Sequence, residues 1–252
     1  MQIKFKRTEA FTESNRIKLT GSGGELKVKP AGTAALATSG LVLHYDIGNP
    51  ASYPGSGTTV TDIQGNSNAT LANSPTFSAG ALTFDGVDQA LKTSTGLGPL
   101  FSGTSPFKSE VTTVMLWVQL LGEGNILVER GTSTYTDMGW LSSNIEVNSS
   151  GHLSFSTWSE STSVTNNVLA ASNYLNAWHY VGFTYNGSTL TAYVDGASVG
   201  STSIDRSAPY NDGADLFYTI ASPTVTNMGT EGYCNMRLGA FHVYNRSEEH
   251  TS

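Results

Sequence analysis

From Trp178 to Gly196 the chain runs WHYVGFTYNGSTLTAYVDG, an alternation of apolar and polar positions broken twice by turn dipeptides. A period of two is that of a β-strand. Asn186-Gly187 and Asp195-Gly196 supply the positive φ angles that tight hairpin turns require. The pattern therefore predicts two strands hinged at Asn186-Gly187, with the meander continuing from Ala197 to Ile204. Along the first strand, Val181, Phe183 and Tyr185 share one face and Trp178, Tyr180 and Thr184 the other, so one face can enter a core.

The same texture extends along the chain. Short apolar runs are separated by stretches of Ser, Thr, Asn and Gly, which is how many short strands joined by polar turns read. The 252 residues include 27 glycines and only 13% charged residues, enough for one large sandwich with a substantial core. No segment longer than a turn or two reads as a helix. No run approaches the roughly 18 consecutive apolar residues of a membrane span, so a soluble chain is expected. Trp117, in VTTVMLWVQL (Val111 to Leu120), and Trp178 sit among apolar neighbours and are assigned to the core.

Five segments carry a family resemblance. They are GLVLHYDIGNPASYPGSGTTVTDIQGNSNATL (Gly40 to Leu71), ALTFDGVDQAL (Ala81 to Leu91), VTTVMLWVQL, the hairpin with its TYNGS and YVDG turns, and LGAFHVYNR (Leu238 to Arg246). In that order they resemble laminin G-like domains of the concanavalin A-like lectin superfamily, as found in tailed-phage structural proteins. The resemblance implies an all-β, concanavalin A-like jelly-roll sandwich of two antiparallel sheets. It implies no single activity, because such sandwiches serve lectins, adhesion modules, glycoside hydrolases and structural parts alike. The expected organisation is an N-terminal arm and linker over 1–39, the jelly roll over 40–246, and a non-native tail over 247–252, where the chain leaves the family pattern with RSEEHTS.

Charge separates the arm from the body. Residues 1 to 29 hold seven of the 13 Lys and Arg residues against three acids, a net of +4, and the remainder stands at −11. A basic arm on an acidic body suggests a separate task, docking or pairing with neighbouring subunits. Within it, IKLTGSGGELKVKP (Ile17 to Pro30) alternates on both sides of a glycine-rich turn and predicts a small hairpin. The arm lacks the aromatic interleaving of single-strand binders, so no nucleic-acid partner is expected. The single Cys234 cannot form an intrachain disulfide and is read as a small buried residue. The first residues contain no apolar stretch after Lys4, Lys6 and Arg7, unlike a secretory signal. With the resemblance, these features imply a non-enzymatic homo-oligomeric virion component with a lectin-like domain for host or environmental glycans, made in the host cytoplasm, tied to other virion proteins through its arm, and extracellular after release; the alternatives are a carbohydrate-binding or adhesion module of a bacterial extracellular protein and, less favoured, a glycoside hydrolase.

Candidate chemistry is sparse. Retaining glycosidases of the laminarinase type in this superfamily place their acids on one strand as Glu-x-Asp-x-x-Glu or Glu-x-Asp-x-Glu. Here Glu123, Glu129, Glu146, Glu160 and Glu231 stand singly. Calcium is the cofactor the resemblance implies, with Asp85 and Asp88 in FDGVDQ as its candidate ligands. Asp62 with Asn66 and Asn68, and Asp212 with Asp215, are further oxygen-rich clusters, although Asp and Asn in such segments also serve as turn formers. A sugar site needs an aromatic platform beside polar groups. Tyr135, Asp137 and Trp140 with Trp158 form one candidate, and Tyr210, Asn211 and Asp212 a second. Trp140 and Trp158 are equally compatible with a place in the core. His44, His152 and His179 have no metal-like spacing and read as strand or turn residues.

Overall fold

The computed structural model describes residues 17–20, 27–30, 36–101, 111–131, 141–157, 166–204, 215–222 and 232–247. The chain divides into two compact units, Met1–Ser39 with His250–Ser252, and Gly40–Glu249. In the first unit, β1 (Ile17–Thr20) and β2 (Lys27–Pro30) pair antiparallel with Ile17 opposite Pro30, forming the hairpin that the alternation predicts.

The larger unit is built of strands. In chain order these are β3 (Leu41–Asp46), β4 (Thr59–Val60), β5 (Ala69–Ala72), β6 (Thr76–Ser78), β7 (Ala81–Asp85), β8 (Ala90–Thr93), β9 (Val111–Leu120), β10 (Gly124–Arg130), β11 (Leu141–Val147), β12 (Leu153–Thr157), β13 (Asn166–Ala170), β14 (Trp178–Asn186), β15 (Thr189–Val194), β16 (Ala197–Ser203), β17 (Phe217–Ile220) and β18 (Asn235–Tyr244). They form two antiparallel sheets. The first runs β16-β15-β14-β9-β18-β7-β6, with β3 also paired to β18; the second runs β13-β12-β11-β10-β17-β8-β5-β4. Among the described residues the helical element is one 3₁₀ turn at Gly98–Leu100, begun by Pro99.

Turn chemistry sets the meander. Asp195 and Gly196 both have positive φ, 52° and 80°, which aligns β15 with β16 in a hairpin whose twist suits the strands. At the other turn Asn186 Oδ1 accepts the amide N–H of Ser188 and of Thr189, while Gly187 takes φ 96°. β14 then pairs with β9 without interruption, from Trp178 opposite Gln119 to Asn186 opposite Val111. On the other side of β9 lies β18, whose first half pairs with β7 and second half with β3. A register shift between Leu238 and Ala240 places Gly239 at a bulge.

The core lies between the sheets. Along β9, Val114, Leu116, Val118 and Leu120 are fully buried, and Val181, Phe183 and Tyr185 of β14 join them. The second sheet answers with Leu127, Ile145, Phe155 and Ile220. Each such side chain contributes on the order of 1.5–3 kcal/mol by leaving water. Phe241 of β18 meets Tyr218 of β17 edge-on, with centroids 5.4 Å apart, so an aromatic contact bridges the two sheets. Cys234 is buried, as its isolation in the sequence suggests.

Candidate functional site

The alternation that buries one side of β9 and β14 turns Trp117, Trp178 and Tyr180 to the outer side of the first sheet. All three are partly exposed. This corrects the sequence-based assignment of Trp117 and Trp178 to the core: Leu116 and Val118 flank Trp117 in the chain but point through the opposite face of the pleat. Register completes the assembly, because Tyr180 stands directly opposite Trp117 on the neighbouring strand.

The rings make a continuous platform. Trp178 stacks on Trp117 with centroids 5.3 Å apart and planes 18° from parallel, and Tyr180 leans on Trp117 at 4.7 Å. Gly239 makes room beneath them. A Cβ there would lie 2.5 Å from Cδ1 of Trp117 and 3.4 Å from Cζ3 of Trp178, so a side chain at this bulge would lift the indoles.

Polar groups border the rings. The Arg237 guanidinium lies over Trp178, 5.4 Å from the ring centroid. It donates from Nη1 to Gln119 Oε1 at 3.3 Å and from Nη2 to the Ser78 carbonyl at 3.2 Å. Gln119 in turn donates from Nε2 to the Asn176 carbonyl at 3.3 Å. On the opposite side, Asp195 accepts the Tyr180 amide N–H at 2.9 Å and pairs with His179 Nδ1 at 2.7 Å, which ties the start of β14 to the turn. The arrangement groups three partly exposed aromatic rings with a fixed cation and amides at their margin, a combination of apolar surface and hydrogen-bonding groups suited to holding a sugar.

Two aspartates end the row of residues that crosses this platform. The row through its centre runs Asp46, Ala240, Trp117, Tyr180, Asp195 across five neighbouring strands or their turn. At about 4.8 Å per strand the backbones of the two aspartates stand roughly 19 Å apart. The two-carboxylate mechanism of most glycosidases needs its pair about 5–9.5 Å apart. Among the singly placed glutamates, Glu129 is buried and accepts from Asn144 Nδ2 at 3.0 Å, while Glu123 is exposed.

Residues 85–250 match the model of the concanavalin A-like lectin/glucanases superfamily. The chain belongs to this superfamily. Solved structures of similar fold include Trypanosoma rangeli sialidase in complex with sialic acid, at TM-score 0.58 and 17% identity over 88% of this chain and 33% of that one. The receptor-binding domain of a botulinum neurotoxin C/D mosaic serotype matches at TM-score 0.57 and 12% identity, over 83% of this chain and 48% of that one. The binding domain of botulinum neurotoxin serotype D matches at TM-score 0.53 and 10% identity, covering 82% of this chain and 49% of that one. The superfamily member described here thus spans about a third to a half of these larger chains. No curated protein matches its sequence.

The sequence-predicted sugar residues Tyr135, Asp137, Trp140, Trp158, Tyr210, Asn211 and Asp212 lie outside the described residues. Of the metal candidates, Asp85 and Asp88 are exposed in the turn between β7 and β8. Asp85 Oδ1 accepts the Val87 amide N–H at 2.9 Å, and the Asp88 carbonyl accepts from Asn73 Nδ2 at 2.8 Å. Among the described residues no group of three or more His, Cys, Asp or Glu is placed to hold a metal. Asp62, by contrast, is buried and organises its whole loop: Oδ1 accepts the N–H of His44 and Gln64, and Oδ2 that of Asn66 and Ser67, at 2.8–3.1 Å. Asp215 accepts from the Gly98 and Leu216 amides.

Proposed function

We propose that this chain is a non-enzymatic glycan-binding protein whose lectin-like domain seats a sugar on Trp117, Trp178 and Tyr180. The observation that carries this reading is the partly exposed stack of the two indoles on the outer face of the sheet, where the missing side chain of Gly239 leaves them room. Exposed aromatic rings at such positions cost hydration free energy that a bound pyranose would recover. The superfamily and the sialic-acid complex of a protein of like fold agree with a glycan ligand.

The wider setting we propose is a tailed-phage virion, with the sandwich as a structural or accessory part and the basic arm as the element that joins it to other virion proteins or to further copies of itself. The resemblance of the five segments and the arm's net charge of +4 over residues 1 to 29 support this setting. Several copies would convert weak single-site contacts into useful avidity.

The test is a glycan array probed with the full chain and with Trp178→Ala, each in calcium and in EDTA. Binding by the parent that disappears in the variant, with an unchanged circular dichroism spectrum, is the expected result. Absence of binding to any glycan, or binding indifferent to Trp178, would remove the platform from the argument. Sensitivity to EDTA would assign calcium a part and point to Asp85 and Asp88.

A further inference from the structure

We infer that Arg237 makes the platform selective for acidic glycans, sugars carrying a carboxylate or a sulfate beside the ring that rests on Trp178. This inference rests on the glycan-binding reading and specifies its ligand.

The argument begins with an unmatched charge. The body of the chain beyond residue 29 carries a net −11, yet the partners of Arg237 are all neutral: the Gln119 side-chain oxygen, the Ser78 carbonyl and the Trp178 ring. An arginine placed for stability in so acidic a chain would ordinarily be drawn to a carboxylate. Here two hydrogen bonds and a ring contact instead fix the plane of the guanidinium and leave the rest of its N–H donors uncommitted. A planar fork held in place loses little freedom when it binds a carboxylate or sulfate, and such charge-assisted pairs are about twice as strong as neutral ones.

Position gives the cation its use. Arg237 on β18 stands opposite Gln119, which stands opposite Trp178, and its guanidinium lies over the Trp178 ring. A pyranose held against the partly exposed edge of the ring cluster would bring a substituent within reach of the guanidinium. A neutral sugar would use the rings alone. The surrounding negative charge would reject anions that fail to reach Arg237, so the discrimination is local and depends on contact.

The experiment compares lactose, sialyllactose and sulfolactose by calorimetry on the full chain, its Arg237→Gln and Arg237→Lys variants, and Trp178→Ala. The expected result is that at least one acidic ligand binds the parent about tenfold or more tightly than lactose, a difference worth about 1.4 kcal/mol. In Arg237→Gln the acidic ligand loses this advantage and the ratio falls to about one, and Arg237→Lys, which keeps the charge without the fork, lies between. The carboxylate and sulfate arms show which anion is preferred. Equal affinity for neutral and acidic ligands in the parent would overturn the inference while leaving the platform intact. Loss of lactose binding in Arg237→Gln would also overturn it, by making Arg237 a support for Trp178. If the parent binds none of the three ligands nor any glycan of the array, the inference falls together with the reading beneath it.

Discussion

The indole of Trp178 lies on that of Trp117, 5.3 Å between centroids and 18° between planes, on the side of the sheet that faces away from the core. Two large apolar rings are therefore held in place by each other and by Gly239 rather than by enclosure. Replacing Trp178 with Ala should cost the stacking contribution, about 0.5–1.5 kcal/mol, beyond the area that the partly exposed indole buries. Leu116→Ala, one residue from Trp117 in the chain but fully buried, should cost about 2–5 kcal/mol. Urea unfolding of the two variants checks the contrast, and comparable losses would mean that the rings serve the fold.

Gly239 should be intolerant of a methyl group for a specific reason. The bulge brings its α-carbon against Trp117, and a Cβ would approach Cδ1 of the indole to 2.5 Å. Gly239→Ala should therefore tilt Trp117 and break the stack. The change is expected as loss of the coupled-indole signal in near-ultraviolet circular dichroism, together with weakened glycan binding, and an unaltered spectrum would show that the platform can absorb the added carbon.

Much of the sandwich was legible in the alternation. The inward set Val181, Phe183 and Tyr185, the turns at Asn186-Gly187 and Asp195-Gly196, and the hairpin from Ile17 to Pro30 all follow from period-two patterning and turn chemistry. The site was less legible. Assigning Trp117 to the core by the character of its neighbours ignored that adjacent strand residues face opposite ways. Even correct parity could not reveal that Tyr180, Arg237 and Gly239 meet there, because those contacts depend on the pairing of β9 with both β14 and β18, strands remote in the chain. The loop acids show a different difficulty. Asp62 and Asp85 have the composition of ion ligands, and only the positions of the surrounding N–H groups show that their carboxylates are turned to backbone donors.

Asp62 yields a prediction of the opposite kind, about stability alone. Its two oxygens satisfy four backbone N–H groups and hold the loop after β4 against β3. Each buried donor left unsatisfied costs about 1–3 kcal/mol. Asp62→Ala should therefore destabilise the domain by about 3 kcal/mol or more, lowering Tm by about 2–4 °C for each kcal/mol. Asp62→Asn places an amide where two N–H groups expect an acceptor, so it should lie between. A thermal scan in which Asp62→Ala matched the parent would mean that water replaces the carboxylate.

The pH dependence of stability should carry the mark of one histidine. His242 on β18 is buried opposite His44 of β3, with the ring centroids 4.8 Å apart. Burial, and then the neighbouring His44, lower its pKa from 6.5 to about 3. The sign follows from linkage. Between pH 6.5 and about 3 the unfolded chain holds a proton on this imidazole and the native chain does not, so acid favours unfolding. The contribution of His242 is fully present above pH 6.5 and is lost by about 1.4 kcal/mol for each unit below it. His242→Gln removes this group, so the stability difference between parent and variant should change with that slope in the acidic range and be flat above neutrality. Denaturant titrations of both proteins at several acidic pH values measure it directly. A difference independent of pH would mean that His242 takes up its proton within the folded sheet, and that the outer face around His44 opens enough to hydrate it.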